Sequence, residues 1–125
     1  MEKRELIIKN YINAYNSFDI EKMVADIDIS IRFINISNSA VNMEIEGLSN
    51  FLEQAQQAKK MFTQRQQTIL SFKHQKDFTE IDIDYKGVLA IDLPNGLQKG
   101  SVLTLKGRSI FKFADNKVIE LTDIS

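Results

Sequence analysis

Apolar positions in the first part of the chain recur every three to four residues. Leu6, Ile7, Ile8, Tyr11, Ile12, Ala14, Tyr15 and Phe18 follow this spacing, which gathers them on one broad face of a helix and leaves Lys9, Asn10, Asn13 and Asn16 on the other. Ser17-Phe18-Asp19 then interrupts. Asp19 is a good N-cap for a short second helix, with Phe18 placed to pack on Met23 as a hydrophobic staple and the helix ending near Ile27. From there the period changes to two. The stretch ISIRFINIS alternates and is rich in β-branched residues, so it predicts a strand with Ile31, Phe33 and Asn35 on one face and Arg32, Ile34 and Ile36 on the other. After a Ser/Asn-rich loop and a short extended piece around MEIEG, Gly47 opens a third helix, LSNFLEQAQQAKKMF. Its apolar stripe is Leu48, Phe51, Leu52, Ala55, Ala58 and Phe62. Everything from Gln64 onward reads as strand, broken at Gln75-Lys76-Asp77, Leu93-Pro94-Asn95-Gly96 and Ala114-Asp115-Asn116. The second break suits a type I turn, with proline second and glycine fourth. Helices followed by a mainly antiparallel sheet predict an α+β fold with the helices on one sheet face.

The last hairpin decides where Asp123 points. A two-residue turn at Asp115-Asn116 pairs Arg108 with Asp123 and mixes Lys112 and Arg108 with Ile119 and Leu121 on one face. A three-residue loop, with Asn116 in the left-handed conformation, instead pairs Phe113 with Lys117, Phe111 with Ile119, Ser109 with Leu121 and Gly107 with Asp123. The faces then separate. Leu103, Leu105, Gly107, Ser109, Phe111, Ile119, Leu121 and Asp123 share the inner face, and Lys106, Arg108, Lys112, Glu120 and Thr122 the outer one. Since a one-residue slip flips every side chain, this segregation favours the second register. Gly107 and Ser109 leave little side-chain volume opposite Asp123, which suggests a cavity there. The competing reading makes Gly107 a bulge and Asp123 a frayed, solvated residue.

Composition narrows the function without naming it. The 125 residues are one domain's worth of chain, read as a single domain over 1–125, with 43% hydrophobic and 26% charged residues. Sixteen basic against seventeen acidic residues, net charge −1, leave no excess positive charge for nucleic acid. There is no cysteine, which excludes thiol chemistry and fits a reducing compartment. The opening segment is too interrupted for a signal peptide or membrane span. These features suggest a cytoplasmic protein.

The element order, together with AYNSFDIEKMVADI, IEGLSNFLEQ and SIFKFADNKVIEL, resembles the nuclear-transport-factor-2-like superfamily, which includes ketosteroid isomerases and SnoaL-like polyketide cyclases. The resemblance spans nearly the whole chain. It implies a cone-shaped, cystatin-like α+β fold, in which three helices pack on the concave face of a curved antiparallel or mixed sheet. In the isomerases a helix tyrosine and a protonated aspartic acid hold an oxyanion while another aspartate moves the proton. The tyrosine falls on Tyr11, but the proton-moving aspartate falls on Asn35 and the aspartic acid on Ser109. An amide is no general base and a serine is a poor acid, so that chemistry is not expected. SnoaL-like cyclases use an acidic residue near the end of the sheet, a place Asp123 matches.

Asp123 and Tyr11 are therefore the candidate catalytic residues, as proton carrier and hydrogen-bond donor. Tyr15, Phe33, Asn35, Phe51, Leu105, Gly107, Ser109 and Leu121 are candidate pocket residues. His74 reads as a surface histidine beside a turn. Asp82 and Asp84 of IDIDY read as a solvated outer stripe opposite Ile81, Ile83 and Tyr85. No metal or cofactor is expected, because no glycine-rich phosphate loop, serine triad or convergent ligand set is present. Ile69, Val88, Ala90, Val102, Thr104 and Ile110 give the outer face more apolar surface than a solvated sheet needs, which suggests a homodimer through that face. The expected partner is a small hydrophobic molecule, processed by isomerase, cyclase or dehydratase-like acid/base chemistry. The alternative is a non-catalytic ligand-binding or association module of the same fold.

Overall fold

The computed structural model describes residues 2–125. Helices α1 (Glu2–Asn16), α2 (Ile20–Met23) and α3 (Leu48–Lys59) pack on one face of a six-stranded sheet. Its strands are β1 (Ile27–Ser37), β2 (Ala40–Glu46), β3 (Phe62–His74), β4 (Phe78–Leu89), β5 (Val102–Ala114) and β6 (Lys117–Ile124), in the order β2-β1-β6-β5-β4-β3. Only β1 and β6 run parallel; all other neighbours are antiparallel. The sheet is mixed and open, the expected α+β arrangement.

Local chemistry explains the boundaries. Asp19 caps α2, its carboxylate accepting from the Lys22 N–H at 3.1 Å. The helix ends at Met23 rather than near Ile27, because Ile27 is already paired with Val118 as the first residue of β1. Gly47 sits at φ +90 before α3, a conformation open to glycine. Phe62 belongs to β3 and not to α3. The type I turn at Leu93–Gly96 forms, with the Gly96 N–H donating to Leu93 O at 3.2 Å. Strand pairing nevertheless stops at Leu89 and resumes at Val102, so a loop replaces the continuous strands expected around that turn.

The core lies between α1, α3 and the concave sheet face. Ile8, Ile31, Ile81, Phe111, Val118 and Leu121 have no exposed surface, and Phe51 and Ala55 of α3 close over them. Leu6, expected on the buried face of α1, is 53% exposed. The neighbouring Ile7 and Ile8 fill the core-facing arc of the helix.

Two of the register shifts, in β6 and β3, decide which side chains face the core. The β5–β6 turn is a two-residue one, with Asp115 at φ 50 and Asn116 at φ 61 and Ala114 opposite Lys117. Past Phe113↔Val118 the register shifts, leaving Ile119 as an extra residue, and the strands continue as Lys112↔Glu120, Phe111↔Leu121 and Ser109↔Asp123. Both sequence-derived registers are thus corrected: Asp123 faces Ser109, not Gly107 or Arg108. The bulge restores the inward parity of Leu121 and Asp123, and Val118 takes the buried place expected for Ile119. A second shift at Leu70 in β3 leaves Ile69 packed against the core rather than on the outer face, and Phe72 also turns toward the core. His74 follows the same parity and is half-buried instead of solvated. Its Nε2 lies 2.7 Å from Glu5 Oε2, its Nδ1 lies 2.9 Å from Thr79 Oγ1, and its ring stacks on Phe72.

Candidate functional site

Asn35, Asp123 and Ser109 form one row across β1, β6 and β5. They meet a cavity of about 320 Å³ on the concave face, where Gly107 withholds a side chain and Ile83, Leu103 and Leu105 supply apolar wall. A Cβ at Gly107 would stand 3.0 Å from the Ile124 carbonyl oxygen, so glycine both opens the cavity and permits the close strand approach. Phe62 forms another wall. Its ring lies over Gly87, where a Cβ would come within 2.8 Å, and packs edge-on against Tyr85.

Asp123 is held but not neutralised. The Ser109 hydroxyl donates to its Oδ1 at 2.7 Å, and among the described residues no cation comes within ion-pair distance. Burial pushes the carboxyl up to about 6, against the opposing pull of the Ser109 hydrogen bond. Arg108 follows the outer face, 3.6 Å from both Glu80 and Asp82. The segment is not frayed either, since the Ser125 N–H donates to Ile36 O at 2.9 Å and the Asn38 N–H to Ser125 O at 3.2 Å.

Tyr15 lines the cavity from α1, and its hydroxyl is 2.8 Å from that of Tyr85 on β4. Burial raises both phenols above their ordinary value. Arg65 reinforces this corner from beneath. It is buried, donates from Nε to Tyr15 O at 2.8 Å, and places its guanidinium 3.7 Å from the Tyr15 ring centroid and 4.5 Å from that of Phe18. Gln67 adds an amide to the cavity wall, and Asn16 clamps its backbone with bonds of 2.7 and 3.1 Å.

Six of the ten residues singled out in the sequence line this cavity: Tyr15, Asn35, Leu105, Gly107, Ser109 and Asp123. Four do not. Phe33 and Phe51 pack on each other edge-on, 5.7 Å between ring centroids, beneath α3. Leu121 is wholly buried in the core. Tyr11 lies behind the wall, edge-on to Phe111 at 5.6 Å; burial, then the nearby Asp123 charge, raises its phenol while Arg65 opposes. Tyr85, Gln67 and Phe62 line the cavity, and Arg65 packs on Tyr15 at its edge, without having been singled out in the sequence. Tyr85 was readable from the inner-face parity it shares with Ile81 and Ile83, whereas Arg65 and Gln67 sit in a polar run whose inward face carries no apolar signal. Among the described residues no three acidic or histidine side chains converge as a metal site. A wider hollow of about 540 Å³ on the outer face is bordered by Gln66, Lys86, Thr104 and the Asp84–Lys106 ion pair, a solvated surface rather than an enclosed site.

No family model matches the chain, and a search of curated proteins finds no match. Solved structures do match in fold. A candidate polyketide cyclase from Xanthomonas campestris superposes with a TM-score of 0.83 at 16% identity, covering 99% of this chain and 90% of that one. A candidate SnoaL-like polyketide cyclase from Jannaschia gives 0.80 at 13% identity, covering 98% and 84%. A protein with a ketosteroid isomerase-like fold from Catenulispora acidiphila, solved with trimethylamine, gives 0.75 at 10% identity, covering 94% and 82%. The fold is the nuclear-transport-factor-2-like one. Among the described residues no helix is long and apolar enough to cross a membrane.

Proposed function

We propose that the protein binds a small, largely hydrophobic molecule in the concave cavity and that Asp123 moves a proton on it. One observation carries this reading. A carboxyl on the cavity wall, fixed by Ser109 and without a cationic partner, is poised at about 6, where it can both take and return a proton near neutrality. The cavity volume lies at the small end of the range for ligand sites, and its walls are mostly apolar. The candidate cyclases of the same fold are consistent with this chemistry.

The test is isotope exchange. Purified protein in deuterated water is given a panel of small enolisable ketones, and loss of the carbon-bound proton is followed by NMR. The reading expects exchange in the parent protein and its loss in Asp123→Asn, with ketone binding retained. Equal exchange in both proteins overturns the role of Asp123. Binding without exchange in either favours the non-catalytic module.

The reading extends to a cytoplasmic homodimer joined through the outer sheet face. Val102, 56% exposed there, supports it, while the inward position of Ile69 makes the patch smaller than the sequence suggested.

A further inference from the structure

The corner opposite Asp123 has a charge and hydrogen-bond balance of its own. The Tyr15 and Tyr85 hydroxyls together carry two protons. One is used in the 2.8 Å bond between them, so the pair offers one donor outward. Behind it stands Arg65, 4% exposed, with no carboxylate within ion-pair distance among the described residues and with Nη2 enclosed and unpartnered. A buried guanidinium without a counter-charge is costly, and negative charge placed beside it offsets that cost. Its positive charge lowers the phenols of Tyr11, Tyr15 and Tyr85 against the effect of burial, so its field reaches the whole corner.

We infer that the Tyr15–Tyr85 pair, backed by Arg65, is a binding pole for a single negatively charged oxygen, and that the ligand is a weak oxygen acid, a phenol or enol on an apolar body, held as its anion. The inference rests on the cavity being a ligand site, as proposed above. One outward donor suits one oxygen; a carboxylate or phosphate ligand would call for several. The apolar body would lie among Phe62, Ile83, Leu103 and Leu105. Other charges face the same space. Asp123 lies on the cavity wall, where an incoming anion favours its protonated form, and Arg108 reaches the rim already paired with Glu80 and Asp82. Arg65 acts here as a positioning residue, since it touches the tyrosine rather than the ligand.

The probe is 4-nitrophenol, whose anion and neutral form absorb at different wavelengths, titrated with the protein in buffer just below the phenol's own ionisation. It has no carbon-bound proton beside a carbonyl, so its binding is independent of whether Asp123 moves protons. The expected result is binding with the anion spectrum. Arg65→Met should weaken anion binding roughly tenfold or more, and the double variant Tyr15→Phe, Tyr85→Phe should do the same while keeping both rings. Should Arg65→Met fail to fold, the double variant alone decides. Binding with the neutral spectrum, or an anion bound as tightly by a folded variant as by the parent, overturns this inference and leaves the role of Asp123 intact. Absence of binding overturns it as well; isotope exchange on ketones then decides separately whether the cavity is a ligand site.

Discussion

Ser109 donates its hydroxyl proton to Asp123 across two neighbouring strands at 2.7 Å, and Ser109 itself is 2% exposed. The bond fixes the carboxyl without neutralising it. A neutral donor lowers the cost of ionisation only in part, whereas a lysine or arginine there would have held the group ionised at all ordinary pH.

Replacing Ser109 should therefore move the titration in a known direction. Ser109→Ala removes a donor to the ionised form, so the Asp123 carboxyl should rise above about 6. The loss of stability at neutral pH should be about 1–2 kcal/mol, since a partly buried carboxylate loses its donor. Chemical denaturation combined with titration checks both. An unchanged or lowered carboxyl would show that the hydrogen bond contributes nothing in solution.

Asp123→Asn should stabilise the protein at neutral pH. The native carboxyl holds its proton up to about 6 against an ordinary 3.8, so between these values the folded state binds more protons than the unfolded state. Stability then falls as pH rises through this window, by on the order of 2–3 kcal/mol in total. Asparagine avoids the cost and keeps an oxygen for Ser109. The variant's advantage should be present at pH 7 and vanish below about pH 4, as urea denaturation at several pH values would show.

Much of the fold was legible because periodicity carries it. The three-to-four spacing of Ile8, Tyr11 and Ile12, the Asp19 cap and the alternation of β1 all follow from physics local to a few residues. The bulges at Ile119 and Leu70 were not legible. A bulge is set by how a strand bends against its neighbours, and no residue type marks it. Asp123 was read as inward because inward parity is the same under the expected loop and under a two-residue turn followed by one extra residue. Its partner was misassigned for the same reason. Arg65 escaped notice because a charged residue in TQRQQT reads as solvated until the rings of Tyr15 and Phe18, distant in sequence, close over it.

Filling the cavity should weaken binding. Gly107→Ala brings a methyl to 3.0 Å from Ile124 O and should cost about 1–3 kcal/mol. Gly107→Leu adds bulk that projects into the cavity, so ligand affinity should fall at least roughly tenfold, by calorimetry with any ligand the parent binds. Unchanged affinity would place the ligand elsewhere.

The protein should not isomerise β,γ-unsaturated ketosteroids at enzyme-like rates. By the sequence resemblance Asn35 takes the place of the isomerases' proton-moving aspartate, and its amide donates to Asn42 Oδ1 at 2.8 Å. By the same resemblance Ser109 takes the place of their protonated acid. Rapid turnover by the purified protein would show that this positional correspondence is wrong.

Dimerisation through the outer face is checked by sedimentation. The parent is expected to be a dimer at micromolar concentration and the double variant Val102→Asp, Ile110→Asp a monomer. A monomeric parent, or a variant that sediments as the parent does, rules this interface out.

The central claim is that Asp123 is a desolvated, unpaired carboxyl on the wall of the cavity, and its own titration tests that most directly. Carboxyl-carbon NMR of the labelled protein, with Asp123→Asn to assign the resonance, follows the group from acid to neutral pH. The account predicts a midpoint near 6 that is insensitive to salt and to Arg108→Gln. A midpoint at or below the ordinary aspartate value, moving with salt or with loss of Arg108, would mean that Asp123 is solvated or ion-paired, and would contradict the account.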